Sequence, residues 1–146
     1  MRNALLFLTF CMSLLACGNV YAQNNKAVAA DNSKNRIEIL YFHGRQRCAT
    51  CLAIEKNTKE ALETQFANEL KNGTVVFKTI DISKAANKKI AEKYEVTWSS
   101  LFICKWENGK ESYENLTEYA FANARTAPDT FKTGLIERIK KLIDAE

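Results

Sequence analysis

The sequence predicts an α/β fold in which a central, mixed, four-stranded sheet is flanked by helices on both faces. Segments rich in strand-forming residues alternate along the chain with segments whose apolar residues recur every three or four positions. Asn108-Gly109, between the last two predicted strands, is typical of a β-hairpin turn, so one strand pair is antiparallel. Strands that alternate with helices form a sheet that the helices cover on both sides.

The composition excludes several classes of protein. Of the 146 residues, 47% are hydrophobic and 26% are charged, which is typical of a globular protein and fits one ordinary domain. The formal net charge of +4 is small and is spread along the chain. We therefore expect no nucleic-acid partner, because proteins of that class concentrate positive charge in a patch or tail.

Residues 1–22 are typical of a bacterial signal peptide. The basic start Met1-Arg2-Asn3 precedes an apolar run from Ala4 to Ala16. As a helix this run rises about 20 Å, short of the roughly 30 Å hydrocarbon core of a bilayer, so we expect no transmembrane span. The sequence therefore predicts export to the periplasm or cell envelope.

Two ways of processing this segment stay open. Val20-Tyr21-Ala22 has the small-residue pattern of ordinary cleavage, which would release a secreted chain. Leu14-Leu15-Ala16-Cys17 resembles a bacterial lipoprotein box, and lipidation of Cys17 would anchor the protein to a membrane. Residues 23–35 are polar and non-periodic, so we expect a flexible tether, followed by one folded domain over residues 36–146.

The first half of this domain is predicted to contain two strands and two helices. Arg36–Phe42 is apolar at nearly every position after Glu38, as in a central strand that is covered on both faces. From Cys48 the apolar spacing becomes helical, and Gly73 is a natural C-terminal stop. The other elements are a strand over Thr74–Ile82 and a helix over Ser83–Tyr94, whose inward residues are Ala86, Ile90 and Tyr94.

The second half is predicted to contain two strands and a final helix. Ser100–Trp106 and a region near Lys110–Glu114 are the strands of the hairpin. Residues 115–128 are ambiguous and compatible with a short helix. The last helix begins near Pro128, where Thr126 with Asp129 resembles a capping box.

The segment Cys48-Ala49-Thr50-Cys51 carries the chemistry. In the first turn of a helix, thiols at this spacing have Cα atoms about 5–6 Å apart, within the range for a disulfide. Cys48 faces the free N–H groups and the positive end of the helix dipole, which favour a thiolate. Cys51 lies one turn deeper, where it can resolve a mixed disulfide. We therefore predict that Cys48 is the catalytic nucleophile and Cys51 the resolving thiol, a reaction that needs no cofactor or metal.

Charged residues next to this segment add to the prediction. Arg45 and Arg47 place positive charge just before Cys48, where it stabilises a thiolate.

Trp98, beside the predicted third strand, is a candidate for lining a partner groove. Cys104 lies in the middle of an apolar strand, and we expect it in the core.

The cysteine pair between a strand and a helix resembles the active site of the thioredoxin superfamily. The resemblance extends over residues 36–146 and includes the strand Val75–Asp81, the run Ile90–Val96, and the closing hairpin and helix. It implies a thioredoxin-like fold and a cysteine pair that shuttles between dithiol and disulfide. It also implies that the sheet edge docks an extended stretch of a partner.

A narrower resemblance rests on two segments, Tyr41–Cys51 (YFHGRQRCATC) and Ser100–Cys104 (SLFIC). They look like those of a small exported bacterial group that carries the label nitrophenyl compound nitroreductase subunit. This resemblance implies membership of a larger redox complex.

Two departures from the thioredoxin pattern concern the site. Thioredoxins place a cis-proline before the third strand, facing the thiols; here the stretch is Thr97–Ser100, and either Ser99 or Ser100 takes that place in the groove. Many thioredoxins also have a buried Asp six residues before the first cysteine, a position held here by Phe42. His43 and Glu55 are the substitute candidates for proton transfer.

We therefore expect an enzyme, an exported thiol–disulfide oxidoreductase. Its partners would be exported proteins with cysteines, together with a redox partner that the sequence does not identify. Two alternatives remain: a thioredoxin-like binding subunit of a nitroreductase-type complex, which uses a groove near Trp98 and Tyr119, and a thiolate metal carrier.

Overall fold

The structure is a computed structural model and describes residues 35–145. The predicted signal peptide, the candidate lipidation site Cys17 and the predicted tether up to residue 34 lie outside the described residues. Within residues 35–145, no helix has both the length and the apolar character that crossing a bilayer requires.

The described part of the chain contains four strands and five α-helices. The strands are β1 (Arg36–His43), β2 (Val75–Asp81), β3 (Ser100–Glu107) and β4 (Lys110–Asn115). The helices are α1 (Ala49–Gln65), α2 (Ala67–Asn72), α3 (Lys88–Lys93), α4 (Thr117–Asn123) and α5 (Pro128–Asp144).

The four strands form one mixed sheet in the order β2-β1-β3-β4. β1 runs parallel to β2, with Ile37 opposite Val75, and antiparallel to β3, with Ile39 opposite Ile103. β4 is antiparallel to β3 and forms the edge. The predicted mixed four-stranded sheet is confirmed, and its strand order and directions are those of the thioredoxin-like fold.

Helices cover both faces of the sheet, as predicted. Successive side chains of a strand point to opposite faces, so β1 contributes to two separate clusters. Ile37, Ile39 and Tyr41 pack in the larger core with α1, α4 and α5. Leu40 and Phe42 pack on the other face, against residues that follow or belong to α3. The end of β1 is therefore buried on both sides, directly before the loop that carries the cysteines.

The predicted helix over 83–94 is shorter than expected. The Asp81 carboxylate accepts hydrogen bonds from both the backbone N–H and the hydroxyl of Ser83, at 2.9 and 2.7 Å. This local turn competes with helical hydrogen bonding. A 3₁₀ turn over Ala85–Asn87 follows, and α3 begins only at Lys88. As a result Ala86 is exposed, and its predicted inward position is wrong.

The predicted capping box of the last helix is also wrong. Ala127 is the N-cap of α5 and makes no side-chain capping bond, while the Thr126 hydroxyl donates to the Ala122 carbonyl at 3.0 Å. Pro128 begins the helix instead, because its fixed φ and missing N–H suit the first helical position. The ambiguous segment 115–128 contains α4.

α5 packs closely on α4 at Gly134. A Cβ atom at this position would overlap the hydroxyl oxygen of Tyr119 and lie 2.9 Å from its ring carbon Cζ. Tyr119 is held in place because its hydroxyl hydrogen-bonds to the carbonyls of Thr130 and Phe131, at 2.7 and 3.1 Å.

We predict that Gly134→Ala lowers the free energy of unfolding by about 1–3 kcal/mol, because overpacking outweighs the better helix propensity of alanine. Urea unfolding measures this change. In a Tyr119→Phe background, which lacks the overlapping hydroxyl, the same substitution should cost less. A Gly134→Ala protein as stable as the parent would contradict this packing.

Candidate active site

Cys48 occupies the N-terminal end of α1. It is the N-cap residue, with extended backbone angles of φ −73° and ψ 166°. Its Sγ accepts the backbone N–H of Cys51 at 3.2 Å, one of the N–H groups that the first helical turn leaves without a backbone partner. The Cys48 sulfur therefore lies at the N-terminal end of α1 and is bound by one of its backbone N–H groups.

The two sulfur atoms of the pair are in contact. The distance from Cys48 Sγ to Cys51 Sγ is 2.7 Å, and both residues are free thiols. Cys48 is exposed, whereas Cys51 is only 5% exposed. One thiol can therefore be reached by another molecule, and the second lies directly behind it.

The Cys51 thiol is buried among hydrogen-bonding groups. Its Sγ donates to the Ser99 hydroxyl oxygen at 3.5 Å. Burial raises the pKa of the Cys51 thiol, but its hydrogen bonds with Cys48, Ser99 and Tyr41 together outweigh this effect and lower it. Of the two serines that the sequence left open, Ser99 is thus the one that faces the thiols. Ser100 instead donates its hydroxyl to the Trp98 carbonyl, at 3.1 Å.

Tyr41 belongs to the site, and the sequence reasoning missed it. Its side chain is fully buried, and its hydroxyl donates to the Cys51 carbonyl at 2.8 Å. Burial raises the pKa of Tyr41 to about 12. Strand alternation could have identified it: Tyr41 shares a sheet face with Ile39, whereas Phe42, in the position compared with the family aspartate, points to the opposite face.

Arg47 and Glu55 form an ion pair behind the thiols. The Arg47 guanidinium lies over the Tyr41 ring, 5.5 Å from its centroid, and its Nη2 donates to the Cys51 carbonyl at 3.5 Å. The predicted thiolate-stabilising cation and the predicted proton carrier are therefore bonded to each other. Arg47 contacts the backbone of the resolving cysteine, and its pairing with Glu55 compensates the carboxylate charge.

His43 and Arg45 lie at the end of β1 and in the following loop. His43 pairs in register with Asp81 of β2, and its ring centroid is 5.9 Å from that of Tyr41. Arg45 is exposed. None of the contacts seen within residues 35–145 joins either side chain to a cysteine sulfur, so the structure does not bring these two candidates to the thiols.

Trp98 lies on the surface, next to Ser99 in the chain. It is 57% exposed, and its ring packs against Phe121 with the centroids 5.1 Å apart. A cavity of about 380 Å³ adjoins it, lined also by Ser100 and Glu118. The sequence placed Tyr119 near this groove. Its hydroxyl instead donates to the Thr130 carbonyl and its ring stacks on Phe131, both in α5.

Cys104 is a core residue, as predicted. It is fully buried in β3, and its Sγ lies 3.5 Å from the Tyr94 hydroxyl. Burial raises the pKa of the Cys104 thiol to about 11. Across the described residues, no group of three or more His, Cys, Asp or Glu side chains is placed to hold a metal ion.

Comparison with known proteins gives weak likenesses only. No protein-family model matches the chain, and no curated protein matches it. A malarial protein structure is similar at 12% identity, covering 63% of this chain and 99% of that one, with a TM-score of 0.39. An uncharacterized thioredoxin-like protein from Clostridium perfringens is similar at 11% identity, covering 71% of each chain, with a TM-score of 0.45. Neither is described as a nitroreductase subunit.

The three described cysteines should differ sharply in reactivity. We predict that iodoacetamide alkylates Cys48 first in the native reduced protein, then Cys51, and Cys104 only after unfolding, because exposure and thiolate formation control the rate. Peptide mass spectrometry over a time course distinguishes the three sites. Modification of native Cys104 at the rate of Cys48 would contradict the arrangement described here.

Proposed function

We propose that this protein is an exported thiol–disulfide oxidoreductase that acts on cysteines of other exported proteins. The observation that carries the proposal is the contact of an exposed thiol, at the N-terminus of a helix, with a buried second thiol 2.7 Å behind it. The thioredoxin-like strand order places this pair after a central strand, the context expected of a redox motif.

The reaction proceeds by two thiolate attacks. The Cys48 thiolate attacks one sulfur of a partner disulfide, which forms a mixed disulfide and releases the other partner sulfur as a thiolate that takes up a proton. The Cys51 thiolate then attacks Cys48 Sγ, which releases the second partner thiolate. The partner gains two electrons and two protons, and Cys48 and Cys51 become a disulfide. The reverse sequence oxidises a partner dithiol.

The placement of Cys51 suits the second attack. Because its sulfur already touches that of Cys48, little backbone movement is needed to form the internal disulfide. A disulfide that closes so short a loop restricts the unfolded chain very little and adds little stability. A purely structural role therefore does not explain the cysteine pair.

The cellular location rests on the predicted signal peptide over residues 1–22. In an exported compartment disulfides can form and persist, so partner proteins there carry the groups that the pair would exchange. A separate redox partner must restore the pair after each cycle. Anchoring through Cys17 would keep the same reaction at a membrane surface.

A binding subunit of a larger redox complex, of the nitroreductase type that the sequence resemblance implies, is the second candidate. The exposed Trp98 beside the groove favours it, because large exposed aromatic rings are enriched at protein interfaces. Activity of such a complex that survives replacement of both Cys48 and Cys51 would support this candidate over the oxidoreductase.

The first test of the oxidoreductase is a trapping experiment. We predict that Cys51→Ser abolishes turnover and accumulates disulfide-linked partners on Cys48, because the mixed disulfide can no longer be resolved. Non-reducing gels and mass spectrometry of the exported fraction detect these species. Cys104→Ser is the matched control and should trap nothing. The proposal fails if Cys51→Ser traps no partner and if Cys48 and Cys51 of the unsubstituted protein stay reduced under oxidised glutathione.

The second test concerns the groove. We predict that Trp98→Ala lowers kcat/KM for a protein disulfide about tenfold, the effect of losing about 1.4 kcal/mol of interface binding. Exchange with hydroxyethyl disulfide, which has no peptide chain to lie against Trp98, should change little. Tyr113→Ala removes a similarly exposed ring on β4 and should leave both rates unchanged. Equal losses for the large and the small substrate would contradict a docking role.

A further inference from the structure

We propose that the hydroxyls of Tyr41 and Ser99 form a neutral cradle that stabilises the Cys51 thiolate during the resolving step. The inference deepens the proposed function, on which its role in the reaction cycle rests.

The two hydroxyls of the cradle come from two separate parts of the chain, both next to the sheet. Tyr41 comes from β1 and is fully buried; Ser99 directly precedes β3 and is 9% exposed. The Ser99 oxygen lies 3.5 Å from Cys51 Sγ, and the Tyr41 hydroxyl lies 2.8 Å from the Cys51 carbonyl oxygen while also interacting with the thiol. Two hydroxyl groups therefore lie against Cys51, which is itself only 5% exposed.

Ionisation of Cys51 requires both hydroxyls to turn. In the dithiol the Cys51 S–H donates to Ser99, and the Tyr41 hydroxyl donates to the Cys51 carbonyl. A thiolate has no proton to give and accepts instead, so each hydroxyl can rotate its proton towards the sulfur. The carbonyl that Tyr41 then leaves keeps a donor, because Arg47 Nη2 is 3.5 Å from the same oxygen.

Few other groups can supply this stabilisation. Within residues 35–145, the titratable or charged groups that face Cys51 are Cys48 from the start of α1, Tyr41 from β1 and Arg47 from the connecting loop. Arg47 is already paired with Glu55. A hydroxyl whose pKa is about 12 stays protonated while a thiol titrates, so it donates over the whole working range.

The test measures the titration of Cys51 alone. In a background in which Cys11, Cys17, Cys48 and Cys104 are each replaced by Ser, the thiolate absorbance of Cys51 is followed against pH with and without Tyr41→Phe. We expect Tyr41→Phe to move the titration to higher pH, because the substitution removes one donor to the charged form. An unchanged titration curve in a folded Tyr41→Phe protein overturns the proposal.

A kinetic experiment tests the same step in the intact pair. The reduced protein is mixed with an aromatic disulfide that releases coloured thionitrobenzoate, first on attack by Cys48 and again when Cys51 resolves the mixed disulfide. At neutral pH we expect Tyr41→Phe to slow the second release about tenfold and to leave the first nearly unchanged, as for the loss of one hydrogen bond to a charged group. Equal slowing of both releases, or slowing of neither, contradicts the cradle.

Three further variants separate a cradle from a loss of packing. Tyr119→Phe removes a hydroxyl whose bonds are to backbone carbonyls of α5, and should change neither readout. Ser99→Ala should move both in the same direction as Tyr41→Phe, and Ser99→Thr, which keeps a hydroxyl, should restore them. Because these readouts need no biological partner, the cradle can fail while Cys51→Ser still traps partners, and it can hold if that trapping fails.

Discussion

The site depends on the way in which Cys51 fixes the first turn of α1 to the sheet. Its backbone N–H is bound by Cys48 Sγ, its carbonyl by Tyr41 and Arg47, and its sulfur faces Ser99. All the polar groups of one buried residue are therefore used for positioning. Cys48, three residues earlier, accepts one of these bonds but is exposed at the surface, so one thiol can be reached and the other is protected.

At the other end of β1, a buried charge is stabilised by ion pairs. Glu38 is 5% exposed and is bound by Arg36 and Lys78, at 2.7 and 2.8 Å. Burial raises the pKa of Glu38, but these two cations outweigh burial and hold it below its usual range. Glu38 is thus a paired carboxylate at the start of β1, whereas near the thiols the hydroxyls of Tyr41 and Ser99 lie against Cys51.

The sequence predicts the features of the fold and site that depend on short-range spacing. The three-residue separation of the cysteines, the helix after them and the apolar run of β1 are local, and the structure agrees with them. The choice between Ser99 and Ser100 was not local, because a shift of one residue in a strand reverses which face a side chain points to. The ion pair between Arg47 and Glu55 was not predicted either, because it depends on the path of the loop that precedes α1 and not on local spacing.

The absence of a carboxylate at position 42 has an electrostatic consequence for the described site. A negative group buried beside a thiol disfavours the thiolate, since like charges in a poorly hydrated region repel strongly. Phe42 carries no charge and points away from the pair, and the nearby Glu55 is neutralised by Arg47. Hydroxyl donors then stabilise the Cys51 thiolate without adding a competing negative charge. A site of this kind can therefore favour ionisation of its buried thiol although burial alone opposes it.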